Sequence, residues 1–226
     1  MNIQANFHLR NFISELIGTF AIVFCGTASI IINEQSRGVI SNTGIAITLG
    51  LIVMTMIFAF GNISGAHFNP AVTIAFAISR RFKSSRILVY VIGQLTGAFI
   101  ASIILKLLFP ESVHLGATIP SGSSMQSFIL EVILTFLLML VIMAVADGAK
   151  EHGLFAGAAI GSVILLEAMF AGPVSGASMN PARSIAPAIV SGNWQNLWIY
   201  IIAPITGAIA GALTWLFLWP GDHANK

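Results

Sequence analysis

The sequence predicts an all-α membrane protein: six transmembrane helices plus two re-entrant half-helices, related as an inverted repeat. Three observations carry this. The 226-residue chain is 57% hydrophobic and only 8% charged, with a mean hydropathy of +0.92, whereas soluble domains carry about 25% charged residues. Six apolar segments reach the ~20 residues that a span requires. Two further apolar segments are too short to cross, and each follows a copy of one stretch: Ser64-Gly-Ala-His-Phe-Asn-Pro-Ala and Ser175-Gly-Ala-Ser-Met-Asn-Pro-Ala.

In chain order, the expected spans cover 11–32, 41–61, 87–109, 125–146, 153–171 and 194–219. The first follows Arg10, is too long for a signal-peptide core and carries Glu15, so it reads as a retained span. The short segments cover 69–79 and 180–190. At 1.5 Å per residue each is about 16 Å long, half of a ~30 Å hydrocarbon core. Two such pieces meeting end to end would make one further span. Asn-Pro starts a helix: Asn caps, and Pro at the first position loses no useful N–H. Asn69 with Pro70-Ala71, and Asn180 with Pro181-Ala182, are therefore expected to open the half-helices at the pore centre.

Lys and Arg set the orientation. Arg80, Arg81, Lys83 and Arg86 cluster after the first short segment. With the N-terminus cytoplasmic, this cluster, Arg10, Lys150 and Lys226 fall inside, while Arg37 and Lys106 fall outside, as the positive-inside rule requires. Both termini are then cytoplasmic, and loop 110–123 is extracytoplasmic.

The halves repeat. Asn180 follows Asn69 by 111 residues; Tyr90-Val-Ile-Gly-Gln-Leu-Thr-Gly-Ala corresponds to Tyr200-Ile-Ile-Ala-Pro-Ile-Thr-Gly-Ala; Glu15-x-x-x-Thr19-Phe20 corresponds to Glu131-x-x-x-Thr135-Phe136. The repeats cover about 9–109 and 124–219 of a single channel domain, 1–226. Three spans per repeat is an odd number, so the second half inserts inverted. Inverted repeats place their site at the midplane, at discontinuous helices. Gly97-x-x-x-Ala101, Gly157-x-x-x-Gly161 and Gly207-x-x-x-Gly211 read as close helix contacts.

Non-helical backbone at membrane depth must be buried in protein or line a watery cavity. The carbonyls of Gly65, Ala66, His67 and Phe68, and of Gly176, Ala177, Ser178 and Met179, are expected to line a pore. Two half-helix N-termini, each with roughly half a positive charge, would face its centre. The capping oxygens of Asn69 and Asn180 would be engaged and their NH₂ groups free for a passing solute oxygen. Such a site disfavours cations and proton transfer along a water wire. Arg183, one turn after Asn180, would face the same lumen; an arginine there is costly and reads as functional. Glu15 and Glu131 read as structural carboxylates that hold the re-entrant backbone, against a proton relay as the rival. Glu167 has no counterpart in the other half, and three roles stay open: pore lining, a local pairing, or a subunit contact. His67 reads as a loop-stabilising hydrogen-bonder and Cys25 as a small core residue. No metal-ligand cluster, cofactor motif or nucleophile–base pair is present, and scattered basic residues do not imply nucleic acid. Channel function is expected, catalysis is not.

Ser64-Gly-Ala-His-Phe-Asn-Pro-Ala-Val72 and Asn180-Pro-Ala-Arg-Ser184 resemble the signature stretches of the major intrinsic protein family, the aquaporins and aquaglyceroporins. The resemblance runs from Glu15 to about Leu218. It implies the aquaporin fold, a right-handed six-helix bundle with two half-helices, one pore per subunit, and a homotetramer in the cell (plasma or inner) membrane. Ala171-Gly-Pro-Val-Ser-Gly-Ala-Ser-Met-Asn180 and Gly50-Leu-Ile-Val-Met look like the nodulin-like intrinsic proteins and their bacterial relatives. Carried over from the family, the four selectivity-filter positions fall on Leu49, Ala168, Ala177 and Arg183. Strict water channels resemble one another in having an aromatic at the first position and His at the second; here both are smaller and apolar. Classical glycerol facilitators usually have Asp where this chain has Ser184, and the nodulin-like group usually has Asn where it has Glu167. The resemblance implies water, glycerol and undissociated arsenious, boric or silicic acid as solutes, with a strict water channel as the alternative and a proton-coupled transporter further off.

Overall fold

The computed structural model describes residues 3–147 and 150–219. The described residues form eight α-helices: α1 (Ile3–Gln35), α2 (Ser41–Ser64), α3 (Pro70–Ile78), α4 (Ile87–Leu108), α5 (Ser124–Asp147), α6 (Lys150–Ser175), α7 (Pro181–Ser191) and α8 (Ile199–Leu218). All except α3 and α7 contain stretches long and apolar enough to span a bilayer. The protein is thus a multi-pass membrane protein. Lys226 lies outside the described residues.

The two halves pack alike. Helix α1 lies against α4 as α5 lies against α8, and α2 packs on α6 across the pseudo-two-fold axis. Each half-helix leans mainly on the other repeat, α3 on α8 and α7 on α4. The halves are therefore interleaved, and the half-helices are clasped at the centre.

Glycine sets the closest approaches. A Cβ on Gly50 would stand 2.6 Å from the Gly161 carbonyl oxygen, and a Cβ on Gly161 2.6 Å from that of Gly50. The α2–α6 crossing admits no side chain there. Gly97 presses on the Leu16 carbonyl as Gly207 presses on that of Val132. This matches the small-residue rule for helices in lipid, where close packing replaces the hydrophobic effect as glue. The outward faces are apolar, with Leu88, Leu107, Ile129 and Phe217 all more than half exposed.

Helix α1 begins at Ile3 rather than 11 and α2 runs on to Ser64, and two further boundaries differ for reasons visible in the packing. Helix α6 continues past 171 to Ser175, through Pro173. A proline removes the bond to the carbonyl four residues back. Here that carbonyl, of Met169, accepts instead from Asn42 Nδ2 at 2.6 Å, so the helix survives. The last span begins at Ile199 rather than 194, because Gly192 (φ 81°) ends α7 and Asn193–Trp198 turn back before α8. Loop 110–123 also does more than connect. Leu115, Gly116 and Thr118 are buried, and Thr118 Oγ1 donates to Ser184 Oγ at 2.7 Å, fastening the loop to α7.

The Gly161→Leu variant is expected to destabilise the detergent-solubilised protein by about 1–3 kcal/mol through overpacking. A lowered midpoint of thermal unfolding would report this, while Gly61→Leu, which meets nothing within 4 Å, should change it far less.

Candidate pore and selectivity site

Each half-helix begins as its Asn-Pro pair dictates. Asn69 is extended (φ −152°, ψ 121°), and its Oδ1 accepts from the Ala71 N–H at 2.9 Å. Asn180 is extended likewise (φ −148°, ψ 110°), and its Oδ1 accepts from Ala182 N–H at 3.0 Å and Arg183 N–H at 3.5 Å. Pro70 and Pro181 each occupy the first helical position, and with Ala71 and Ala182 they are buried.

The amide groups are only partly free. Asn69 Nδ2 donates to the Met179 carbonyl at 2.7 Å, and Asn180 Nδ2 donates to the Phe68 carbonyl at 2.9 Å. The expected free NH₂ groups are thus corrected: in each, one hydrogen ties its half-helix to the opposite loop, and one remains. The Phe68 and Met179 carbonyls likewise each accept an Asn amide, with a second lone pair left over. The reason is proximity. Two helix starts that meet on a two-fold axis place each amide against the last carbonyl of the other loop.

Behind this clasp the loops are strained and held. Gly65, Ala66 and Phe68 take positive φ, as do Gly176, Ala177 and Met179. For the non-glycine residues this costs about 1–2 kcal/mol each. Glu15 offsets it in the first loop. Its Oε1 accepts from Ser64 Oγ (2.7 Å) and His67 N–H (3.0 Å), its Oε2 from Phe68 N–H (2.7 Å) and Gln94 Nε2 (2.8 Å). Glu131 repeats the pattern, accepting from Ser175 Oγ (2.7 Å), Ser178 N–H (2.8 Å) and Met179 N–H (2.8 Å). Hydrogen bonds to a charged group contribute about 1.5–3 kcal/mol each. Both carboxylates are fully buried and act as anchors for the backbone.

The symmetry extends beyond the carboxylates, to His67, read as a loop-stabilising hydrogen-bonder, and to groups that the sequence reading did not assign. Tyr90 Oη donates to the Ser64 carbonyl at 2.6 Å, and Tyr200 Oη to that of Ser175 at 2.7 Å. His67 Nδ1 meets Thr73 Oγ1 at 3.1 Å, and Ser178 Oγ meets Ser184 Oγ at the equivalent place. The signal was present: both tyrosines and both serines sit in the repeated stretches. Gln94 breaks the symmetry, since Pro204 stands at its counterpart and brings no donor. The His67 ring also packs, tilted or edge-on, among Phe76, Phe82 and Tyr90, with centroids 4.8–4.9 Å away.

A cavity of about 550 Å³ runs along this framework. Its lining includes the loop residues Gly65–Phe68 and Ala177–Met179 with Asn69, Asn180 and Arg183. The rest of the lining is mostly apolar, with Ile22, Val53, Leu138, Ile142, Ile160 and Ile164 among others. Gly176 falls outside this lining and packs on Thr118. Of the four expected filter positions, Leu49, Ala177 and Arg183 line the cavity together. Ala168 does not, though it shares one buried apolar cluster with Leu49 and Ala177. Arg183 is only 3% exposed, and its three guanidinium nitrogens have no hydrogen-bond partner among the described residues. Glu167 is equally buried, with both carboxyl oxygens unpartnered. Among the described residues no group of three or more His, Cys, Asp or Glu side chains could hold a metal ion.

Comparison with known proteins agrees with this geometry. The model of the family described as "Major intrinsic protein" matches residues 2–215. The chain is 48% identical to Aquaporin NIP1-1 of Zea mays over 205 residues, covering 90% of this chain and 73% of that protein. It is 47% identical to Nodulin-26 of Glycine max over 210 residues, covering 92% and 77%. Its structure superposes on that of the aquaglyceroporin from Plasmodium falciparum with a TM-score of 0.84 at 27% identity, covering 92% of this chain and 95% of the other. Six apolar spans, two capped half-helices clasped at the midplane and a lined cavity between them thus coincide with relatives of one kind: the chain belongs to the major intrinsic protein family and has the aquaporin fold, a channel for water and small solutes.

Proposed function

We propose that this protein is a passive, energy-independent channel for water and small uncharged hydroxylated solutes, with glycerol and undissociated arsenious, boric or silicic acid as its larger solutes. The observation that carries this reading is the small, apolar set around Arg183. Leu49 and Ala177 line the cavity beside it, and Ala168 packs with them. No aromatic ring occupies any of these four positions. A constriction with one strong donor group and otherwise short side chains favours neutral molecules wider than water that accept hydrogen bonds.

Ion and proton exclusion follow from the same parts. The half-helix N-termini and Arg183 set positive potential along the path. The Glu15 and Glu131 carboxylates, which a proton-coupled transporter would need to be mobile, each accept three or more hydrogen bonds from the loops and their neighbours. The reading places both termini in the cytoplasm and the protein, as a homotetramer, in the cell membrane. The Arg80–Arg86 cluster supports this orientation, and the family resemblance supports the tetramer.

Purified protein in proteoliposomes is expected to pass water, glycerol and boric acid in stopped-flow light scattering, and to exclude sorbitol. Water flow without glycerol or boric acid uptake would instead make it a strict water channel. Leu49→Trp is expected to narrow the constriction and reduce glycerol flux at least about tenfold, with water reduced much less. A tenfold change corresponds to about 1.4 kcal/mol in the barrier. Unchanged glycerol flux would remove Leu49 from the filter.

A further inference from the structure

Glu167 is a buried charged residue that the repeat does not explain. Its counterpart in the first half is Met56, and its neighbours in space satisfy neither of its oxygens. A buried, unpaired carboxyl group costs more than a lost neutral hydrogen bond, and one inside a membrane span reads as functional.

Its placement on α6 is informative. Gly157, Ile160 and Ile164 line the cavity. Their spacing defines one helix face, and Glu167, buried just beyond the lined stretch and not itself part of the lining, continues it at three residues past Ile164 and seven past Ile160. The neighbouring α5 lines the cavity with Leu138, Ile142 and Val145. Seven residues before Leu138 on that face is Glu131. The two carboxyl groups interact electrostatically, and so do Glu131 and Arg183. Glu131 already accepts from Ser175, Ser178 and Met179. Glu167 accepts from none of the described residues, and the Arg183 guanidinium donates to none.

We propose that Glu167 is a specificity-determining residue: its carboxyl group accepts hydrogen bonds from solute hydroxyls while Arg183 donates to the solute's oxygens. This rests on the proposed reading of the pore and names what that pore selects. The chemistry is complementary. A guanidinium offers donors only, and a carboxyl group brings acceptor capacity in either protonation state. A neutral solute carrying several hydroxyls can satisfy both at once, accepting on one side and donating on the other. Glycerol and boric acid have that form. A hydrocarbon-like or purely accepting solute does not.

The experiment compares wild type with Glu167→Val and Glu167→Gln in proteoliposomes, reading the glycerol-to-water and boric-acid-to-water permeability ratios. Val removes the acceptor, and both ratios are expected to fall at least about fivefold, the equivalent of one hydrogen bond of about 1 kcal/mol. Gln keeps an acceptor oxygen and the shape, and the ratios should return to within about twofold of wild type. Unchanged ratios in the Val variant overturn the proposal. So does a Gln variant that falls as far as Val, since charge or packing rather than the acceptor would then be at work. Wild-type protein that passes water but neither solute overturns the pore reading itself, whereas solute flux that Val leaves unaltered relative to water overturns only the role of Glu167.

Discussion

The structure depends on two buried carboxylates, Glu15 and Glu131, each holding a loop that could not otherwise exist at membrane depth. Backbone that leaves the helix in a bilayer exposes N–H groups with no water to take them. Glu15 takes the N–H groups of His67 and Phe68, and Glu131 those of Ser178 and Met179. With the donors turned back into the protein, Gly65–Phe68 and Ala177–Met179 are left along the cavity. The left-handed residues Ala66, Phe68, Ala177 and Met179 are the local strain that this arrangement sustains. Tyr90 and Tyr200 brace the same loops from behind by bonding the carbonyls of Ser64 and Ser175.

From that constraint the centre follows. Loops held in this shape deliver Asn69 and Asn180 to the axis, where each caps its own helix and bonds the carbonyl of the other loop. The crossed bonds explain why α3 leans on α8 and α7 on α4: neither half could complete the centre alone. A cavity lined by loop and amide groups together with Ile and Leu side chains is the outcome.

Much of this was legible in the sequence, for stated reasons. The spans were read from apolar length, the half-helices from Asn-Pro, and the inverted repeat from Asn69 and Asn180, Tyr90 and Tyr200, Glu15 and Glu131. The anchoring role of the two carboxylates was legible from their symmetric placement beside an Asn pair that opposes proton conduction. What escaped was three-dimensional. The crossed Asn bonds require knowing that the two helix starts touch, and spacing along a chain does not tell this. Asn42 restoring the carbonyl bond that Pro173 removes joins residues 127 apart. Thr118 reaching Ser184 from a loop read as a mere connection is of the same kind. Glu167 was visible as an oddity, but that its carboxyl group has no hydrogen-bond partner among the described residues became evident only from the packing.

The central claim is that neutral solutes cross this pore passively while protons do not. The most direct measurement loads proteoliposomes with a pH-sensitive dye and follows glycerol equilibration with and without an imposed pH gradient. The account predicts the same glycerol rate in both conditions, and decay of the pH gradient no faster than in protein-free vesicles. Glycerol uptake that saturates and needs the gradient, or a gradient that collapses through the protein, would contradict it.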